Sequence, residues 1–260
     1  MGALDYDADL SIRGSGRPLV LVSGMDGTGK LFYRQAPDLA DRHRVATYAL
    51  RDAAGTMDAL VTDLDAVVDA AAGEGAAATV FGESFGGAIA LSYALAHPDR
   101  VVELAILNSF PHFGPQLRLR LGLAALKVMP WRAMHVVRRF TASRLHSSHT
   151  ADEHIERFLE VTRETTLEGY RNRLRILTRY DVRDRLDEID VPTLFLAAEE
   201  DHLVPSVEQA KAMATAVPDA TLRVLEGHGH GCLLAPDVDL DGILREWRVA
   251  GGVETTAPGG

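Results

Sequence analysis

The stretch "TVFGESFGGAIA", residues 79–90, runs from an apolar segment straight into a small-residue helical pattern. Within it Gly82, Glu83, Ser84, Phe85 and Gly86 spell G-x-S-x-G. Where a strand passes at once into a helix, the junction residue takes strained backbone angles. The chain two positions to either side then has no room for a side chain. Glycines at 82 and 86 meet that demand. The serine between them projects beyond the strand end at a helix N-terminus, where the Phe85 N–H has no intrahelical partner. Ser84 is therefore the candidate nucleophile.

A serine hydroxyl attacks poorly unless a histidine takes its proton and a carboxylate orients that histidine. For a nucleophile at a strand–helix elbow, the expected chain order is serine, acid, histidine. The acid is expected after a late strand. In "PTLFLAAEEDHLVP" the strand is Thr193–Ala198, and Asp201 lies in the turn that follows it. Glu199 and Glu200 compete but sit at the strand mouth, where solvent reaches them. The histidine is expected after the last strand, and "TLRVLEGHGHGCLLAP" offers both His228 and His230. Glycines 227, 229 and 231 let this loop approach the serine. His230, directly before the run toward the final helix, is the preferred base, with His228 the alternative.

Acyl transfer also needs two backbone N–H donors for the developing oxyanion. One is Phe85, directly after the nucleophile. The other is expected in the loop after the first central strand, in "LVLVSGMDGTGKLF", residues 19–32. Gly24 to Lys30 read as GxxxxGK, the beginning of a phosphate-binding loop, but the next residue is Leu31. A phosphate loop requires Ser or Thr there to hold magnesium. The segment reads instead as an oxyanion loop in which Met25 supplies the N–H and Lys30 is a solvated charge.

Around these motifs, short β-branched runs alternate with helical patterns. Strands are expected at Pro18–Ser23, His43–Leu50, Ala77–Phe81, Val101–Leu107, Thr193–Ala198 and Thr221–Leu225. Helices are expected at Met57–Ala72, Phe85–His97, Val207–Ala216 and Val238–Val249. This rhythm predicts βαβ units and a mostly parallel sheet with helices on both faces. Between about 111 and 186 no strand is legible. A helical insertion is expected there, over the carboxyl ends of the strands, where ligands bind in such folds. The core then comprises about 9–110 and 187–249 in one domain, with a flexible tail at 251–260.

These residues resemble the α/β-hydrolase family over nearly the whole chain. "GESFGGAIALSYALAHPDRV" is similar to that family's elbow, helix and next turn, and "DVRDRLDEIDVPTLFLAAEEDHLVP" to its approach to the acid. "GMDGTGKLF" resembles a branch with a DGTG oxyanion loop, which includes esterase-like, lipase-like and thioesterase-like members. Ser23 stands where many members have His. The resemblance implies an α/β-hydrolase fold with a helical cap insertion and a triad of Ser84, Asp201 and His230. It implies cleavage of carboxylic esters through an acyl-enzyme, with no metal or organic cofactor. Thioesterase or acyltransferase action on acyl-CoA or lipid substrates uses the same residues. A binding protein that keeps the fold without turnover is the alternative of another class.

Bulk properties bound the rest. The chain has 260 residues, 47% hydrophobic and 25% charged, enough to bury a full core. A net charge of −10 argues against nucleic acid as a partner. One cysteine, Cys232, excludes an internal disulfide and points to the cytoplasm. The stretch 111–150 departs from the acidic average, with Arg118, Arg120, Lys127, Arg132, Arg138, Arg139 and Arg144 and no acid. One reading is a cap helix with its arginines in water. The other is a lid that makes transient contact with anionic lipid or acyl-CoA.

Overall fold

The computed structural model describes residues 9–114, 121–124, 126, 131, 145, 147 and 149–251. The seven basic residues of the 111–150 stretch lie outside the described residues, as do 1–8 and 252–260.

Each expected strand forms. They are β2 (Arg17–Val22), β3 (His43–Thr47), β4 (Ala78–Glu83), β5 (Val101–Leu107), β6 (Thr193–Ala198) and β7 (Ala220–Leu225), joined by a short β1 (Ser11–Arg13). The sheet order is β1-β3-β2-β4-β5-β6-β7. All neighbours are parallel except β1, which pairs antiparallel with β3. Three residues, Ser11 to Arg13, are too few for a periodic apolar signal, so β1 is invisible before folding. Strand β3 ends at Thr47, earlier than its apolar run. The chain beyond it turns to the β2 loop, where the Leu50 N–H donates to the Gly27 carbonyl at 2.8 Å.

Side chains alternate across the sheet, as a strand period of two requires. Val20 and Val22 join one core, with Leu60, Leu64, Val67, Ile89 and Met213 from α2 (Met57–Ala72), α3 (Phe85–Ala96) and α6 (Ser206–Ala216). Leu19 and Leu21 join the opposite core, with Leu39, Leu240 and Leu244 from α1 (Gln35–Ala40) and α7 (Leu240–Ala250). Helix α2 begins where the Thr56 hydroxyl caps the Ala59 N–H at 3.2 Å. Helix α7 begins at Leu240 rather than Val238, because the Asp239 carboxylate caps the Gly242 N–H at 3.0 Å.

Strands β5 and β6 are hydrogen-bonded neighbours, yet residues 108–192 lie between them. The described part of that segment contains α4 (Asp152–Val161) and α5 (Leu167–Leu177), and no strand longer than the single bridge from His112 to Asp181. Helix α5 rests on the loops after β2 and β3. Its Asn172 donates to the Asp52 carbonyl at 2.8 Å, and Thr166 to the Asp52 carboxylate at 2.7 Å. No helix among the described residues is long and apolar enough to cross a membrane.

Candidate active site

Ser84 stands between β4 and α3 with φ 55° and ψ −118°, a conformation side chains rarely adopt. The surrounding backbone is packed too closely for alternatives. A Cβ on Gly86 would meet the Val22 carbonyl oxygen at 2.1 Å, and one on Gly82 the Gly86 oxygen at 2.5 Å. The elbow is tied to β5 from both directions. The Ser84 N–H donates to the Leu107 carbonyl at 2.8 Å, and the Ser109 hydroxyl donates to the Ser84 carbonyl at 2.7 Å.

Asp201 and His230 meet at the ends of β6 and β7. The Asp201 Oδ2 accepts from His230 Nδ1 at 2.6 Å and also from the Ser206 hydroxyl, while Oδ1 accepts the Leu203 and Val204 N–H groups at 2.9 and 3.0 Å. Burial alone would raise the pKa of this carboxyl. Together the hydrogen bond and charge of His230 and the bonds from Ser206 and Val204 outweigh burial and hold the pKa below its ordinary value. His230 shows the mirror of this balance. Burial favours the neutral ring, but the bond to Asp201 and the negative charges of Asp201 and Glu83 leave its pKa above the ordinary 6.5.

The competing residues take other roles. Glu199 and Glu200 are exposed, and the Glu199 carboxylate accepts from the Gly227 N–H at 3.0 Å. The His228 Nδ1 meets the Ser147 hydroxyl at 2.7 Å, and its Nε2 lies 3.6 Å from Asp237. The structure thus pairs His230, and not His228, with Asp201.

The Gly24 loop reaches the serine directly, since a Cβ on Gly24 would lie 3.4 Å from the Ser84 Cβ and 3.9 Å from its Oγ. Met25 follows Gly24 at that contact. The loop is shaped locally by Asp26, whose Oδ1 accepts from the Thr28 N–H at 2.9 Å and its hydroxyl at 2.6 Å. From above it is held by Arg173 of α5. That guanidinium donates to the carbonyls of Met25, Asp26 and Leu50, each at 3.2 Å, and to the Asp52 carboxylate at 2.8 Å. It also fills the space beside Gly27, where φ is 69° and a Cβ would meet guanidinium atoms at 2.1 to 2.5 Å. Lys30 is not a free charge but joins Glu164 at 2.6 Å and Asp9 at 3.4 Å.

Three contributors were not legible as site residues. Arg173 sits in a helix rich in arginine, and nothing in its spacing separates it from Arg171 or Arg175. Asn108 has φ 49° after β5 and links three elements. Its side-chain carbonyl accepts the Ala198 N–H at 2.7 Å, and its amide donates to the His230 carbonyl at 2.9 Å. An asparagine directly after an apolar strand is the available signal, because it tolerates the left-handed region. Glu83 occupies the unspecified position of G-x-S-x-G, and burial pushes its carboxyl up to about 7. The His230 charge opposes that rise, while Asp26 and Asp201 add to it.

With this geometry in place, comparison with known proteins adds the lineage. The family described as "Serine aminopeptidase, S33" matches residues 48–237. RutD of Azorhizobium caulinodans, named as a candidate carbamate hydrolase, is 32% identical over 252 residues, covering 89% of this chain and 92% of that protein. A thermophilic esterase from Thermogutta terrifontis superposes with a TM-score of 0.81 at 23% identity over 93% of each chain. An enol-lactonase from Burkholderia xenovorans gives a TM-score of 0.79 at 20% identity, covering 94% of this chain and 96% of that one. At such identities the two structural likenesses speak for the fold alone.

Proposed function

Because this chain belongs to the S33 family of α/β-hydrolases, we propose that it is a serine hydrolase that cleaves carboxylic esters through an acyl-enzyme. The observation that carries the reading is a strained elbow serine in the same molecule as a buried histidine held by a carboxylate at 2.6 Å. With Nδ1 engaged by Asp201, the histidine's Nε2 is the nitrogen left to take the Ser84 proton. The alkoxide oxygen then bonds to the carbonyl carbon, and the charge on the carbonyl oxygen falls to the N–H groups of Met25 and Phe85. Collapse breaks the ester C–O bond, and His230 returns its proton to the departing alcohol. Water activated by the same histidine releases the acid and regenerates Ser84.

A carbamate presents the same acyl carbon, and likeness to RutD over nine-tenths of the chain favours it as the second reading. Thioesters and acyl transfer to an alcohol use the same steps with a different leaving group or acceptor. The single cysteine, which cannot form a disulfide within the chain, is what supports a cytoplasmic setting.

A fluorophosphonate probe tests the chemistry, and a panel of esters, thioesters and carbamates of graded size tests the substrate class. The wild-type chain is expected to label covalently and Ser84→Ala is not. Ser84→Ala is also expected to lose at least about a thousandfold in kcat with its fold intact. Labelling that persists in the folded variant would remove Ser84 from the mechanism. Absence of labelling in the wild type would favour a binding protein.

A further inference from the structure

A second cluster of chemistry-bearing side chains lies on the far flank of the histidine loop. His149, His228 and Asp237 each present one donor atom, and the three donors lie within 4.8 Å of one another. The Asp237 Oδ2 is 3.8 Å from His149 Nδ1 and 3.6 Å from His228 Nε2. A tetrahedral dication with ligand bonds of about 2.0–2.1 Å separates its donors by roughly 3.3 Å. Closing the observed spacing to that value takes movements of a few tenths of an ångström for the two contacts of Asp237 and at most about 1.5 Å between the imidazoles. His149 and Asp237 have the freedom to make them, with side chains 54% and 53% exposed.

The buried member is already oriented. For His228 Nε2 to act as a ligand, the ring must carry its proton on Nδ1 and donate it elsewhere. The Ser147 hydroxyl oxygen stands 2.7 Å from Nδ1 to accept it, and is itself fixed by the Gly229 N–H at 3.3 Å. An outer partner of this kind sets the tautomer and direction of metal-bound histidines. The cluster also borders a surface cleft of about 430 Å³ that Glu226 helps line, with room for ion entry and a water as fourth ligand.

We propose that His149, His228 and Asp237 form a structural site for a divalent transition ion of the zinc class. Two imidazoles and one carboxylate suit zinc, and no step of ester cleavage needs the ion. The site joins three separate parts of the chain: the insertion at His149, the histidine loop at His228, and the turn before α7 at Asp237. Occupancy pins the loop two residues from His230. The assignment rests on donor geometry alone and stands whether or not the chain hydrolyses esters.

The test is zinc binding to the full chain after stripping with a chelator, followed by calorimetry and thermal unfolding. One Zn²⁺ per chain is expected, with a rise in Tm that grows with zinc concentration. His149→Ala and Asp237→Asn are each expected to weaken binding at least tenfold and to abolish the Tm rise. Both side chains are exposed, so the zinc-free variants should match the wild type in Tm and in basal esterase rate. Hydrogen exchange in residues 227–231 should slow with zinc in the wild type only. Failure of the wild type to take up zinc would overturn the proposal. So would zinc uptake that either substitution leaves unchanged, since the ion would then be held elsewhere.

Discussion

At the scale of single residues, the two histidines of the G-H-G-H-G loop make opposite predictions because their partners differ. His230→Ala is expected to lower kcat by at least about a thousandfold, since triad members act as a unit. His228→Ala, which loses Ser147 and Asp237, is expected to cost less than about tenfold, or about 1.4 kcal/mol of barrier. The pH profile carries a sign as well. Only neutral imidazole accepts the serine proton, and Asp201 holds the His230 pKa above 6.5. The acid limb of kcat/KM, measured with chelator present, is therefore expected above pH 6.5. In Asp201→Asn it should move to lower pH as activity falls; an unmoved limb would assign that ionisation to another group.

Glu83 gives the stability counterpart. Its folded pKa of about 7 exceeds the ordinary 4.5, so between those values the folded chain keeps a proton that the unfolded chain has lost. Stability must then fall as pH rises through that window, and the full cost is present above about pH 7. Glu83→Gln carries no such charge. Relative to the wild type it is expected to gain stability from pH 5 to pH 8, by at most about 3 kcal/mol. Urea unfolding at the two pH values reads this difference, and equal differences at both would show that Glu83 does not titrate there.

At the scale of elements, the loops of the candidate site owe their shape to parts distant in sequence. The Gly24 loop is held by α5 through one guanidinium that satisfies three backbone carbonyls and the Asp52 carboxylate. Arg173→Met removes that donor from all three carbonyls, of which Asp26 keeps the Thr165 hydroxyl at 3.1 Å, and frees the loop from its roof. Under the proposed mechanism the Met25 N–H acts only on the transition-state oxyanion, so the loss is expected in kcat, about 10- to 100-fold, with KM nearly unchanged. A purely structural role would instead lower the amount of folded enzyme and leave kcat per labelled active site intact. The histidine loop is buttressed in the same way from the insertion, where the Leu145 carbonyl accepts the Gly231 N–H at 2.6 Å.

At the scale of the whole molecule, the two ends of the sheet divide the labour. The carboxyl ends carry Ser84, Asp201 and His230. The amino ends hold a buried ionic network, in which Arg248 of α7 donates to the Glu103 carboxylate at 2.7 to 3.1 Å and also contacts His43 at 2.9 Å. Thr79 adds a bond to Glu103 at 3.0 Å. Removing one member of a buried pair strands the other charge, at a cost of about 3–5 kcal/mol. Arg248→Met is therefore expected to lower Tm by roughly 10 °C. Turnover at 25 °C should barely change, because the network lies at the opposite end from the elbow. A variant with normal Tm would show that the pair contributes nothing net.

The architecture and the identity of the candidate triad were legible because they rest on local patterns. Apolar strand runs, helical periods and the glycines around Ser84 each express a constraint within about ten residues, and chain order then supplies Asp201 and His230. The preference for His230 over His228 rested only on its place directly before the run toward the final helix. Both sit in one glycine loop, and it is the folded position of Asp201, 2.6 Å from His230, that separates them. Arg173, Asn108 and the Glu103–Arg248 pair are of the same kind. Their side-chain partners lie 90 or more residues away, so no period or spacing encodes the contact. Lys30 looked like a solvated charge for that reason, since Glu164 is 134 residues distant. Local sterics and hydrophobic period are properties of the chain by itself, whereas the satisfaction of buried polar groups depends on which distant segments the fold brings together.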